Sequence, residues 1–201
     1  ISWGHVAGNL SHWRCLPPAI RPGVDWDGTP TPYDAASIFT GSVTVVNGVP
    51  VATYPGEPGG KMCDASPANM SDPLLVAWRK SPANPIGKGP PPTTGPLGCT
   101  SSWRDAASGN WTTTIQSNQV PGEKGLRTTF WTSGNYLNWS YQGELACPLC
   151  DRCAQSCSDF YPLGDRWVFG VNSHGCGLGS GGAVVGMFDA ATLTFTPDRP
   201  E

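Results

Sequence analysis

The chain has 201 residues, a formal net charge of −3 and only 13% charged side chains. That length holds one domain with a real core. The charge balance leaves no basic footprint for nucleic acid, and no apolar run approaches the roughly 20 residues that span a bilayer.

Gly 26, Pro 21 and Trp 9 are high, apolar stripes at helical spacing are scarce, and turn residues occur throughout. That pattern reads as all-β with long loops. In chain order, residues 1–20 read as a strand end and a loop. Residues 42–46 and 49–54 are β-rich runs around Asn47-Gly48. Both residues of that dipeptide tolerate positive φ, so a hairpin with a type I′ turn is expected. Residues 55–73 read as loop and 74–80 as strand. Residues 81–98, with Gly89-Pro90-Pro91-Pro92, read as a polyproline-like surface connection. Strands are expected over 111–116, 125–131 and 137–145, and then over 159–163, 166–171, 182–188 and 193–196. The G-x-G-x-x-G of residues 177–182 precedes a strand rather than a helix, so it reads as a hairpin loop. No helix longer than about three turns is expected. The strands fall into groups, which fits a radial repeat of four-stranded antiparallel sheets. Part of such a ring would leave sheet faces exposed, so the chain is expected to be one piece of a larger polypeptide.

Eight cysteines are present: Cys15, Cys63, Cys99, Cys147, Cys150, Cys153, Cys157 and Cys176. Cys147 to Cys157 form a C-x2-C-x2-C-x3-C run, a spacing that also suits an iron–sulfur cluster or zinc. Four N-x-S/T sequons begin at Asn9, Asn69, Asn110 and Asn138. Sequons and scattered cysteines together favour the secretory pathway, an extracellular or cell-surface destination, and disulfides at all eight positions with the pairing open. No metal and no cofactor is expected, since His5, His12 and His174 lack ligand spacing. Trp in the middle position makes Asn110 and Asn138 poorer acceptors than Asn9 and Asn69. No leader segment is visible, so a secreted chain would be a mature or partial form.

Six stretches, in order, resemble the glycoside hydrolase family 32 enzymes, the invertases and fructan hydrolases, in their plant or algal form. They are Trp3-Gly4-His5 with His12-Trp13; Phe39-Thr40-Gly41-Ser42; Pro67-Ala68-Asn69-Met70-Ser71-Asp72-Pro73-Leu74; Trp103-Arg104-Asp105; Cys157-Ser158-Asp159-Phe160-Tyr161; and Val185-Gly186-Met187-Phe188-Asp189 with Thr194-Phe195-Thr196-Pro197-Asp198. The resemblance runs from residue 3 to residue 198. It implies a five-bladed β-propeller, of which a single domain over 1–201 would cover about blades one to three, with residues 147–157 as a cysteine-rich insert.

Retaining glycosidases need two carboxylates, one a nucleophile and one an acid/base. The resemblance places the acid/base directly before the Cys of the Cys157–Tyr161 stretch, and there this sequence has Ser156. A hydroxyl cannot protonate a leaving oxygen near neutral pH. Glu144 and Asp151 are the nearest carboxylates upstream, outside the matching strand. The family's nucleophile lies in an Asn-Asp-Pro motif that does not occur here. Asp105 matches the carboxylate that holds sugar hydroxyls and favours the transition state, with Arg104 beside it. Trp3, Phe39 and Ser42 match positions lining the fructosyl pocket.

The leading expectation is therefore a catalytically degenerate extracellular family-32-like domain. It would serve as a structural or carbohydrate-binding module of a larger glycoprotein, with a fructosyl or other sugar as ligand. The alternative is an active β-fructofuranosidase whose nucleophile lies outside this chain. A third reading is a structural protein without sugar affinity.

Overall fold

The computed structural model describes residues 15–88, 97–117, 127–147, 154–174 and 182–199. Among them the only helical element is the 3₁₀ turn Pro32–Asp34, and the rest is built on fourteen strands in three sheets. The first sheet contains β1 (Ser37–Ile38), β2 (Ser42–Val46), β3 (Val49–Glu57), β4 (Lys61–Pro67) and β5 (Trp78–Lys80). The strands β2-β3-β4-β5 pair antiparallel in sequence order, and β1 continues along β3 beyond β2. The second sheet holds β6 (Gly87–Lys88), β7 (Leu97–Arg104), β8 (Trp111–Ser117), β9 (Arg127–Ser133) and β10 (Trp139–Glu144). Its order is β7-β8-β9-β10, with β6 added parallel to β10. The third sheet is β11 (Ala154–Leu163), β12 (Arg166–His174), β13 (Gly182–Asp189) and β14 (Thr194–Pro197), again antiparallel in sequence order.

The expected hairpin is present. Asn47 and Gly48 have φ of 51° and 84°, both in the left-handed region that the I′ turn requires. Four strands were not expected from the sequence: β4 falls in a segment read as loop, β6 and the start of β7 fall in the segment read as a proline-rich connection, and the two-residue β1 lies where no strand was read.

One arrangement occurs three times. The segment leading into each sheet is tied to that sheet's last strand. Residues before β1 attach to β5, where Lys80 N donates to Asp25 Oδ1 and Lys80 Nζ donates to Arg21 O. β6 lies parallel to β10, and Ala146 forms a parallel bridge with Thr194 on β14. Each sheet is thus closed at its outer edge by the chain that enters it, which covers polar backbone an edge strand would leave unpaired.

The sheets stack face to face over two apolar seams. Between the first and second lie Met62, Ile86, Trp111, Ile115, Trp131 and Trp139, with Val46 and Val51 packed on them. Between the second and third, Phe160 is fully buried. It meets Trp103, Phe130, Trp167, Phe169, Phe188 and Phe195 at centroid distances of 4.9–5.9 Å. Rings at such distances in edge or stacked geometry add to the area they bury.

The innermost strands are β2, β7 and β11, the first complete strand of each sheet. Thr44 Oγ1 on β2 donates to Ser102 O on β7 at 3.4 Å. Ser101 Oγ on β7 donates to Asp159 Oδ1 on β11 at 3.3 Å, and Phe160 N donates back to Ser101 Oγ. As β7 advances from Ser101 to Trp103, its neighbours on the third sheet advance from Asp159 to Trp167, which pairs with Pro162. At the other seam Val46, the last residue of β2, joins the cluster containing Trp111, whose register partner is Arg104 at the end of β7. The three inner strands therefore run the same way and start at the same rim, hereafter the leading rim. The opposite end is the trailing rim.

Candidate functional site

At the leading rim, Phe39 precedes β2 and stays about half exposed, its amide donating to Pro55 O at 3.0 Å. Gly41 then passes so close to Thr53 O and the Tyr54 side chain that a Cβ would collide with them. Only glycine lets Phe39 and Ser42 sit where they do. Ser42 opens β2 and is partly buried. On β11, Ser156 pairs with Asn172, and the register slips between Ser156 and Asp159. On β7 the register slips between Gly98 and Thr100. Both inner strands thus bulge at their leading ends, at Cys99 and at Cys157-Ser158. Bulges redirect neighbouring residues and are common beside active sites.

The first residues of β2, β7 and β11 at this rim are Ser42-Val43, Leu97-Gly98-Cys99 and Ala154-Gln155-Ser156, with no carboxylate among them. The nearest carboxylate on an inner strand is Asp159, which is exposed and held by Ser101.

Asp105 lies elsewhere. It follows the last residue of β7, at the trailing rim. Ser101 stands level with Asp159, so Asp105 is four residues beyond that level and Ser156 three before it. At about 3.3 Å per residue the two are about 20 Å apart along the strands, too far to touch one sugar. The expectation that Asp105 and Arg104 share a pocket with Ser42 and Ser156 is not met. Asp105 instead builds a turn: its Oδ1 accepts from Ser108 N at 2.7 Å and Ser108 Oγ at 2.6 Å. These bonds hold its carboxyl below the usual range. Arg104 donates from Nε to Gly109 O and lays its guanidinium over the Trp111 ring at 5.9 Å. Both residues secure the β7–β8 hairpin. The sequence signal that could have shown this is Ser108-Gly109-Asn110, turn chemistry directly after Asp105.

The expectation of disulfides at all eight cysteines is corrected at two positions. Cys15 and Cys63 are free thiols. Cys63 is fully buried, and its Sγ donates to Lys61 O within its own strand region. Burial, with Asp34 and Asp64 nearby, pushes the thiol up to about 12, so it stays protonated and inert. Cys147 is buried and disulfide-bonded. Trp3, Asn9, Cys150, Cys153, Cys176 and Asp151 lie outside the described residues. No group of His, Cys, Asp or Glu among the described residues is arranged to hold a metal.

Stacked four-stranded antiparallel sheets with their first strands side by side define part of a β-propeller. The family model for the N-terminal domain of glycosyl hydrolases family 32 matches residues 1–201, and the chain belongs to that family. An acid β-fructofuranosidase of Solanum lycopersicum is 30% identical over all of this chain, which spans 33% of it. A sucrose:sucrose 1-fructosyltransferase of Festuca arundinacea is 34% identical over 82% of this chain and 25% of its own length. The chain thus spans about a third or less of these relatives. Among solved structures, fructan 1-exohydrolase IIa of Cichorium intybus superposes with a TM-score of 0.72 at 23% identity, covering 92% of this chain and 36% of that one. Its complex with 1-kestose gives a TM-score of 0.73. These superpositions bear on the fold alone.

Proposed function

We propose that this chain is a catalytically degenerate family-32 domain of a secreted glycoprotein, retained as a carbohydrate-binding or structural module. The observation that carries this reading is the leading rim: the inner strands begin there without a carboxylate, and Ser156 occupies the β11 position beside the bulge. Fructosyl transfer needs a proton at the glycosidic oxygen as the bond breaks, and Ser delivers none near neutral pH. Phe39, Ser42 and Asp159 remain as one aromatic face, one hydroxyl and one hydrogen-bonded carboxylate, groups that suit sugar contacts without chemistry. A fructosyl ligand is the first candidate, because the chicory enzyme was captured with 1-kestose.

An active β-fructofuranosidase is the second reading. Its support is the activity in the relatives' names, in proteins about three times longer. Sucrose turnover by the longest polypeptide carrying this domain separates the two. No turnover is expected. If an upstream carboxylate is in place, Ser156→Glu should raise the rate by at least about tenfold. Robust turnover by the unmodified protein would overturn the degenerate reading.

A further inference from the structure

The three described sequons lie on one rim, the one opposite the candidate site. Asn110 is the last residue of the β7–β8 turn, and Asn138 directly precedes β10 in the β9–β10 turn. Arg104, Trp111 and Ser133 are successive register partners, so both turns leave the same end of the second sheet. They also touch: a Cβ at Gly134 would lie 3.7 Å from Asn110 Oδ1. Asn69 sits in the β4–β5 connection, at the same end of the first sheet as Asn47-Gly48. The seam contacts of β2 with β7 put that end on the trailing rim as well.

All three asparagines are exposed. None of their side-chain amide nitrogens donates a hydrogen bond among the described residues. Asn69 uses only its Oδ1, which accepts from Ser71 N at 2.9 Å. A half-buried structural asparagine looks different: Asn84 Nδ2 donates to Tyr33 OH and to Asp64 O. Modifying Nδ2 at the three sequons therefore breaks no bond of the fold. The bulky middle residues of two sequons are withdrawn, since Trp111 and Trp139 are buried in the seam.

We propose that Asn69, Asn110 and Asn138 each carry an N-linked glycan, making the trailing rim the sugar-coated, solvent-facing side. The leading rim is then the side left for ligand or partner. In the transfer, Nδ2 attacks the anomeric carbon of a lipid-linked oligosaccharide diphosphate. The bond from that carbon to the diphosphate oxygen breaks, one amide proton is lost, and the lipid diphosphate departs. The proposal rests on the secretory location proposed above.

The test separates the two. The 201-residue chain, behind a cleavable signal peptide, is translated with endoplasmic-reticulum microsomes, so the compartment is fixed by the experiment. Peptide-N-glycosidase treatment in heavy-oxygen water then marks each occupied Asn by mass. Occupancy at all three positions is expected, lower at Asn110 and Asn138 than at Asn69. Each single Asn→Gln variant should lose one step of gel mobility shift, and the glycosylated and triple Asn→Gln chains should melt at the same temperature. Absence of glycan at any one of the three positions would overturn the proposal. So would a lower melting temperature for the glycosylated form. Endoglycosidase sensitivity of the protein from its native cells tests the location separately.

Discussion

Asp64 sits in the middle of β4 with its side chain sealed by neighbouring strands, and its Oδ1 is buried without a hydrogen bond. Burial pushes its carboxyl up from the ordinary value of 3.8 to about 6. Between about pH 4 and pH 6 the folded chain holds a proton that the unfolded chain has released. Stability from this group is therefore full at the acid end and is lost as pH rises through that window. The shift is worth on the order of 2–3 kcal/mol. Asp72, Asp105 and Asp189 act in the opposite sense, each held low by hydrogen bonds in an exposed turn. Their slope is common to parent and variant, so Asp64→Asn isolates the buried group. The variant should melt higher than the parent at pH 7.5, with the gap closing toward pH 4; an equal gap at both pH values would refute the assignment. Two thiols give a second contrast. In native protein, iodoacetamide should modify exposed Cys15 and spare Cys63, whose thiolate burial suppresses. Equal labelling of both, read by peptide mass, would show that β4 opens.

At the scale of elements, the lock between the incoming segment and β5 is the costliest to break. Lys80 Nζ lies 2.6 Å from Asp34 Oδ2 with both side chains buried. The carboxylate also accepts from Gly23 N, Thr31 Oγ1 and Tyr54 OH. Lys80→Met leaves that carboxylate buried without its cation, and should cost about 3–5 kcal/mol in urea unfolding. Asp34→Asn combined with Lys80→Met should recover part of the loss; no recovery would mean packing, not charge, is what Lys80 supplies. The same elements show what could be read in advance. Asn47-Gly48 was legible because two residue types fix one turn. β4 was not, because Lys61-Met62-Cys63-Asp64-Ala65-Ser66-Pro67 has no alternation: four successive residues are buried, covered on both faces. β7 was hidden by Gly98 and its Ser/Thr run, which look like linker until two flanking sheets enclose them. The strand over Asp159 to Leu163 was legible from its aromatic residues, and Phe160 is fixed at the centre of the second seam. Asp105 was misread because a three-residue match does not say which end of a strand it lies on.

At the scale of the molecule, alternation on the outermost sheets leaves one side of each uncovered. On β2, Thr44 and Val46 face the second sheet, while Val43 and Val45 are more than half exposed. On β13, Val184 and Phe188 pack inward while Val185 and Met187 are exposed, beside Tyr161 and Leu163 of β11. Apolar residues in contiguous groups on a sheet face are a liability unless something covers them. In a longer polypeptide of the kind its relatives represent, further sheets stacked on both sides would do so. The 201-residue chain alone should therefore self-associate in a concentration-dependent way, visible by sedimentation velocity. Val185→Lys with Met187→Glu should shift it toward monomer while changing its stability little, because those side chains contact solvent. In the longer polypeptide the same pair would place two charges against an apolar neighbour and should lower the melting temperature sharply, since burying unpaired charge is costly. Indifference of the longer protein to this substitution would mean that no further sheet stacks on that side, and the propeller reading would have to end at the third sheet.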